Sequence, residues 1–138
     1  MLVDKIFVYG SLRSDMFNYE RFLKGKVSKV YKGTITGELF HIDNKGYPAV
    51  IPGECIIKGE LMEIKDFEKN LAELDMLENY TYDNSINCEY LRKEVLVKLE
   101  DGSSQKAYYY EYNPKSSINS EDKLISISHG DWKEHMNK

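Results

Sequence analysis

The clearest periodic pattern of apolar residues lies between Asp66 and Glu78 of the 138-residue sequence. Its apolar positions recur at the spacing of one helix face, and they are Phe67, Leu71, Leu74 and Leu77. At ~100° per residue, Glu78 projects within roughly 20° of Leu71 and therefore falls inside the apolar stripe. A carboxylate turned toward a core is costly unless it is paired, hydrogen-bonded or protonated. Two alternatives remain: the helix end frays into water, or Glu78 faces a cavity and acts there.

Runs of β-branched and aromatic residues predict short strands over much of the remaining chain. The runs are Lys5–Tyr9, Val27–Ile42, Tyr47–Gly53, Glu54–Ile64, Tyr90–Leu99, Gln105–Tyr112 and Leu124–Ile127. Gly33, Gly37 and Gly59 interrupt the longer runs, which indicates the bulges or bends of a sheet that curls. Asp101-Gly102 predicts a hairpin turn, because a glycine there adopts positive φ at no steric cost.

Helical patterns are fewer than strand patterns. A weak one covers Asp15–Leu23, and Gly130-Asp131-Trp132 opens a terminal turn or helix. Because strands and helices do not alternate as βαβ units, the sequence predicts an α+β fold. We expect a curled or closed sheet of six to seven strands, flanked by two to three helices, with a pocket at one mouth. The length predicts a single domain over residues 1–138.

Composition narrows the classes of partner. The net charge of -4 argues against a nucleic-acid partner, which requires a concentrated basic face. No apolar run approaches the ~20 residues of a membrane span, and the N-terminus is too short and too charged for a secretory signal. Cys55 and Cys88 form no Cys-x-x-Cys motif and are interpreted as small packed residues. We therefore expect a cytoplasmic protein that binds neither nucleic acid nor membrane.

The loop after the first strand is a candidate binding site. In Tyr9-Gly10-Ser11-Leu12, a glycine and a small residue expose successive backbone N–H groups, which can hold an anion such as a carboxylate. An ordinary tight turn is the alternative, and local sequence alone favours it. The loop is not a phosphate loop, because neither GxxxxGK[ST] nor GxGxxG occurs.

Glu78 is the candidate general acid or base, with a pKa raised by apolar neighbours. Asp75 lies one helix turn away, too close for most glycosidase carboxylate pairs. Period-two alternation places Tyr108, Tyr110 and Tyr112 on one face, and one hydroxyl can point into a pocket. The histidines show no metal-ligand spacing, and Ser11 lacks a Gly-x-Ser-x-Gly elbow.

Several short segments, taken in order, resemble the γ-glutamylcyclotransferase-like family, including its γ-glutamylamine cyclotransferase (AIG2-like) branch. They are Val8-Tyr9-Gly10-Ser11-Leu12, Gly46-Tyr47-Pro48-Ala49, Gly59-Glu60-Leu61, Leu74-Asp75-Met76-Leu77-Glu78-Asn79-Tyr80, Tyr90-Leu91-Arg92 and Ser128-His129-Gly130-Asp131-Trp132. Together they span nearly the whole chain. The stretch Tyr82–Glu89 is longer than in the family pattern. We expect the extra residues to change the rim of the pocket, and with it the identity of the substrate.

The resemblance implies a small mixed β-barrel with a cavity at one end. It also implies an intramolecular acyl transfer, in which the α-amine of a γ-glutamyl group attacks its own γ-carbonyl. The products are 5-oxoproline and a free amine or amino acid. Since the nucleophile is tethered within the substrate, effective molarity supplies much of the catalysis, and neither cofactor nor metal is expected.

Residue roles follow from the same resemblance. Glu78 is the catalytic proton shuttle, and the substrate-binding residues are Tyr9, Gly10, Ser11, Leu12 and Tyr110. The alternatives are a catalytically silent barrel that binds a small amine or peptide, and a deprotecting cyclotransferase of specialised metabolism. The sequence leaves open the leaving group, the oligomeric state, the pathway, and whether the loop N–H groups bind a carboxylate or an oxyanion.

Overall fold

The computed structural model describes residues 3–10, 12–13, 23–77, 88–116 and 119–136. Their secondary-structure elements are β1 (Lys5–Val8), β2 (Val27–Ile42), β3 (Tyr47–Ile64), α1 (Phe67–Leu77), β4 (Tyr90–Leu99), β5 (Ser104–Tyr112), β6 (Leu124–Ser126) and α2 (Trp132–Met136). The predicted helix Asp15–Leu23, apart from Leu23, lies outside the described residues. No helix in these ranges has the length and apolar character needed to cross a membrane.

Five strands form a closed ring in the order β3-β1-β5-β4-β2, which the pairing of β2 with β3 completes. The sixth strand, β6, pairs with β2 outside this ring. β1 and β5 run parallel, with Ile6 opposite Tyr108, and the other described pairings are antiparallel. This mixed barrel with two helices confirms the predicted α+β fold.

The hairpin of β2 and β3 bends where the glycine pattern predicts a bend. The register passes from Glu38 opposite Ile51 to Gly37 opposite Cys55, so residues 52–54 bulge out of the ladder. The sequence predicts two strands here, and the structure has a single strand of 18 residues. Pro52 has no N–H to donate, so it marks the bulge and not the end of a strand.

The core lies on both faces of the barrel wall. Because side chains alternate along a strand, Ile6 and Val8 of β1 join one cluster, whereas Phe7 and Tyr9 join the other. Leu71 and Leu74 of α1 pack in the first cluster, which is therefore the outer face beneath the helix. Val95, Val97 and Leu99 share the opposite, inner cluster, as the period-two pattern predicts.

The tyrosines of β5 follow the same alternation. Tyr108, Tyr110 and Tyr112 lie in the outer cluster beneath α1, and Tyr109 lies in the inner cluster. The prediction that both cysteines are packed is confirmed for Cys88 and wrong for Cys55. Cys88 is buried, but Cys55 is exposed, because it follows the bulge on a solvent-facing part of β3.

Candidate functional site

The loop after β1 forms a tight turn. The N–H of Arg13 donates to the carbonyl of Gly10 at 3.0 Å, and Tyr9, Gly10 and Leu12 are buried. Ser11 lies outside the described residues. A Cβ at Gly10 would lie 2.5 Å from Cγ of Pro48, a separation that real side chains do not tolerate. Glycine is therefore required at this position by close packing.

Two distant segments pack against Gly10, and a third is hydrogen-bonded to one of them. Pro48 of the Gly-Tyr-Pro segment packs directly against Gly10, and the Trp132 ring lies next to the same position, with Cε3 3.8 Å from a Cβ built there. Tyr90 at the start of β4 donates its hydroxyl to the carbonyl of Pro48 at 2.5 Å. The separate motifs thus form one packed region, which we call the first-loop region.

Asp75, considered from the sequence only as a partner for Glu78, has two buried partners of its own. Its side chain is buried under α1, where Oδ1 accepts a hydrogen bond from the Tyr110 hydroxyl at 2.7 Å. Its Oδ2 accepts from the Arg92 guanidinium at 2.5 Å. We call Asp75, Arg92 and Tyr110 the Asp75 triad. A signal was present, because Asp75 lies four residues after Leu71 and so falls on the apolar stripe.

Arg92 is held on a second side by aromatic contacts. Its guanidinium carbon lies 4.9 Å from the centroid of the Tyr108 ring, a cation–π geometry. The Phe67 ring of α1 in turn stacks on the Tyr108 ring, with 6.2 Å between the ring centroids. The triad therefore joins α1 to both β4 and β5 through charge and packing together.

The first loop is connected to the triad through β5. The Tyr9 hydroxyl donates to the backbone carbonyl of Tyr110 at 2.5 Å. Glu78 lies outside the described residues, but it directly follows Leu77, the last residue of α1.

The C-terminal turn also contacts the first loop. Arg13 donates to Oδ1 of Asp131 at 2.7 Å, and the same oxygen accepts the N–H of Glu134 at 3.2 Å. Burial opposes ionisation of Asp131, but the hydrogen bonds from Arg13 and from the backbone outweigh it, so its pKa is lowered. Asp131 is therefore an ionised cap at the start of α2.

Trp132 and His41 form the adjoining contact. The indole Nε1 donates to Nδ1 of His41 at 3.1 Å, which requires that nitrogen to be unprotonated. Burial and the neighbouring His135 lower the pKa of His41, against an opposing effect of Asp43. The lowered pKa of His41 therefore favours the neutral ring that accepts this hydrogen bond.

A second group of buried charges lies around Lys45. The ammonium donates to Glu89 at 2.9 Å, to Asn119 at 2.8 Å and to Asp122 at 2.9 Å. Tyr47 and Tyr112 donate their hydroxyls to Glu89 and Asp122. We call Lys45, Glu89, Asn119 and Asp122 the lysine network. Burial disfavours the charge on Lys45, but its two carboxylate partners outweigh burial, so its pKa is raised.

No group of three His, Cys, Asp or Glu residues that could hold a metal ion occurs in the described ranges. The arrangement instead offers backbone N–H groups beside a glycine, a buried tyrosine hydroxyl, and a helix end followed by a glutamate. This set suits acid–base chemistry on a small molecule.

The fold and the meeting of these motifs define a class, the mixed barrels of cyclotransferase type. A family model described as "Gamma-glutamyl cyclotransferase, AIG2-like" matches residues 6–134, and the chain belongs to this family. A protein of Methanocaldococcus jannaschii, provisionally named a gamma-glutamylcyclotransferase, is 33% identical over 135 residues, which cover 96% of this chain and 98% of that protein.

Solved structures show the same fold. YkqA of Bacillus subtilis superposes with a TM-score of 0.69 at 26% identity, over 98% of this chain but 41% of YkqA. An AIG2-like protein of Mus musculus superposes with a TM-score of 0.64 at 22% identity, over 92% of this chain and 89% of the mouse protein. At this identity the mouse structure shows the fold alone.

Proposed function

We propose that this protein is a γ-glutamyl cyclotransferase that acts on a γ-glutamyl amine or a γ-glutamyl amino acid and releases 5-oxoproline. The observation that carries the proposal is a connection made by two hydrogen bonds, one at the backbone carbonyl and one at the side-chain hydroxyl of Tyr110. It runs from Tyr9 in the first loop to Tyr110, and from Tyr110 to Asp75 on α1, the helix that Glu78 follows. Family membership supports the general activity.

In the proposed reaction, Glu78 first accepts a proton from the α-ammonium of the γ-glutamyl group. The freed amine nitrogen attacks the γ-carbonyl carbon, and a five-membered ring forms. Glu78 returns its proton to the leaving nitrogen as the bond from that carbon to the leaving nitrogen breaks. The ring nitrogen then gives its second proton to Glu78, which passes it to the released amine, so that 5-oxoproline and an ammonium are formed. One carboxylate performs all of these transfers, and the tethered nucleophile needs no cofactor or metal.

The first loop is proposed to bind the γ-glutamyl group. The backbone N–H groups of Gly10, Ser11 and Leu12 are the donors, aimed at a carboxylate or at the developing oxyanion. Tyr9 supports this loop from inside the barrel, because its hydroxyl is bound to Tyr110. These donors supply recognition or transition-state stabilisation without any charged side chain.

Tyr110 has a more specific proposed role than orientation in general. A hydroxyl carries one hydrogen, and that of Tyr110 points to Asp75. Toward a substrate the oxygen can therefore offer only a lone pair. We propose that it accepts a hydrogen bond from the α-amino group and so aligns the nucleophile.

The exposed thiol of Cys55 fits the proposed cytoplasmic location, where thiols stay reduced.

The test is turnover of a panel of γ-glutamyl amines, γ-glutamyl dipeptides and glutathione, with release of 5-oxoproline as the readout. Glu78→Gln should lower kcat by at least ~100-fold, the size expected for loss of a general base. Glu68→Gln is the matched control, since Glu68 is an exposed carboxylate on the same helix.

Full activity in Glu78→Gln would overturn the assignment of the proton shuttle. If the wild-type protein binds members of the panel and turns over none, the chain is a binding barrel of the same fold. The panel member with the highest kcat/KM identifies the leaving group. That leaving group decides whether the protein is a general cyclotransferase or a deprotecting cyclotransferase of specialised metabolism.

A further inference from the structure

The C-terminal turn lies against the first loop, although the two are far apart in sequence. Arg13 and Asp131 are 118 positions apart and form an ion pair of 2.7 Å. The fully buried Trp132 ring lies beside Gly10. We call Arg13, Asp131 and Trp132 the C-terminal clasp. Its contacts reach both ends of the Gly10–Arg13 turn.

The turn that carries the clasp is itself held firmly. The carbonyl of Gly130 accepts the N–H of Lys58 at 2.7 Å. Gly130 has a φ of +77°, and a Cβ there would lie 2.0 Å from the carbonyl oxygen of Ile56. Only glycine allows this approach to β3. The clasp therefore holds the first loop in a fixed position relative to β3 of the barrel wall.

The energetics of the ion pair indicate a geometric role. Arg13 is buried, with 9% of its surface exposed, and its Nε is buried without an acceptor among the residues that the structure describes. A buried ion pair with an unsatisfied donor contributes little net stability compared with apolar side chains of similar volume. What such a pair does supply is one defined arrangement of the two segments that it joins.

We propose that the C-terminal clasp positions the backbone N–H groups of Gly10 and Leu12 for binding the γ-glutamyl group. Arg13, Asp131 and Trp132 are thus positioning residues, which act through the loop and do not touch the substrate. This inference rests on the proposed function. It also makes the C-terminal turn, at the far end of the sequence, part of the machinery for the reaction.

The main test is the double variant Arg13→Met/Asp131→Leu, which replaces the ion pair by apolar side chains. Because such replacements are often neutral for stability, we expect Tm to stay close to the wild-type value. We expect kcat/KM to fall by at least ~10-fold, since small displacements of binding groups are costly in catalysis. A fall in kcat indicates oxyanion binding by the loop, and a rise in KM indicates carboxylate binding.

Hydrogen exchange gives a readout that is independent of turnover. The backbone amide of Arg13, which donates to the carbonyl of Gly10 and closes the loop, should exchange at least ~10-fold faster in the double variant, as expected for a locally opened loop. Lys93→Met is the matched control, because it removes an ion pair with the buried Glu111 on the same barrel. This control should leave the Arg13 amide protected and kcat/KM unchanged.

Conservative variants keep the inference testable if the double variant does not fold. Arg13→Lys retains the charge and should keep more activity than Arg13→Met, whereas a merely structural role predicts equal kcat/KM per folded molecule. Unchanged exchange and unchanged kcat/KM in the clasp variants would overturn the inference. Failure of the wild-type protein on the whole panel would refute the proposed function alone, and the exchange rates would still decide whether the clasp holds the loop.

Discussion

The lysine network and the C-terminal clasp both join distant segments through buried charges, but they differ in how fully their donors are satisfied. The Lys45 ammonium has three hydrogens and three acceptors. Arg13 has one contact to Asp131 and a buried Nε without an acceptor in the described part of the chain. A fully satisfied network stabilises a fold, whereas an incompletely satisfied pair mainly sets a geometry.

The two regions also differ in what surrounds them. The lysine network connects the β2–β3 turn, the start of β4 and the 119–122 segment, and none of its members belongs to the predicted site. The clasp lies against Gly10, which does belong to it. We therefore expect damage to the network to lower stability and damage to the clasp to lower activity.

The largest effect on stability is expected for Lys45→Met. This change removes the ammonium that pairs with both Glu89 and Asp122, and breaking a buried ion pair on one side typically costs about 3–5 kcal/mol of unfolding free energy. Urea denaturation measures the loss, and kcat/KM per folded molecule should equal that of the wild type. Lys106→Met, at an exposed position of β5, is the control. A loss below about 1 kcal/mol would show that the network is no more than a surface ion pair.

A pair of tyrosines on one face of β5 sharpens the comparison. Tyr110 donates to Asp75 and Tyr112 to Asp122, each at 2.7 Å. Replacing either by Phe removes one such bond and should cost about 1 kcal/mol. Only Tyr110→Phe should also lower kcat/KM, by about 10-fold, the loss expected for one substrate hydrogen bond. Equal activity in the two variants would remove Tyr110 from the proposed site.

The smallest expected effect is a change of stability with pH. It involves His41, which is bound to the clasp residue Trp132, and not the lysine network. The pKa of Lys45 is raised and that of Asp122 is lowered, so neither of these two groups titrates between pH 5 and 8. Burial and His135 lower the pKa of His41 below 6.5. The unfolded chain therefore binds the proton more readily, and the stability from neutral His41 is complete above pH 6.5 and is lost as pH falls through its folded pKa.

The corresponding measurement is Tm at pH 8 and at pH 5.5. We expect a modest decrease at the lower pH, smaller than the loss in Lys45→Met. His41→Gln, whose side-chain carbonyl can still accept from Trp132, should reduce this dependence. His135 lies 5.1 Å from His41 between ring centroids, so His135→Gln separates the contributions of the two rings. An unchanged pH dependence in His41→Gln would contradict the assignment.

Local patterns predicted most of the secondary structure. The helix predicted at Asp66–Glu78 is α1 at Phe67–Leu77, and the runs Val27–Ile42 and Tyr90–Leu99 are β2 and β4. These elements can be predicted from local sequence because the periodicity of their apolar residues arises from burial of one face. Pro52-Gly53 predicted a break between two strands, which is wrong. Only the pairing with β2 on both sides of the bulge shows that β3 continues through these residues.

The sequence predicted part of the geometry around the candidate site. Alternation places the β5 tyrosines on one face, and this is observed, whereas the roles of the predicted site residues stay predictions. The partners of Asp75 were missed, because a carboxylate on a helix does not reveal which strand will lie beneath it. The pairing of Arg13 with Asp131 has no local signal, since 118 positions separate the two residues.

The sequence by itself determined the elements, the glycine bends and the family, because these depend on the order of residues along short segments. Only the tertiary structure decided which charges meet. Closing the five-stranded ring places the first loop against the C-terminal turn and α1 against β4 and β5, and the free energy of a buried charge depends on the partners that this closure supplies.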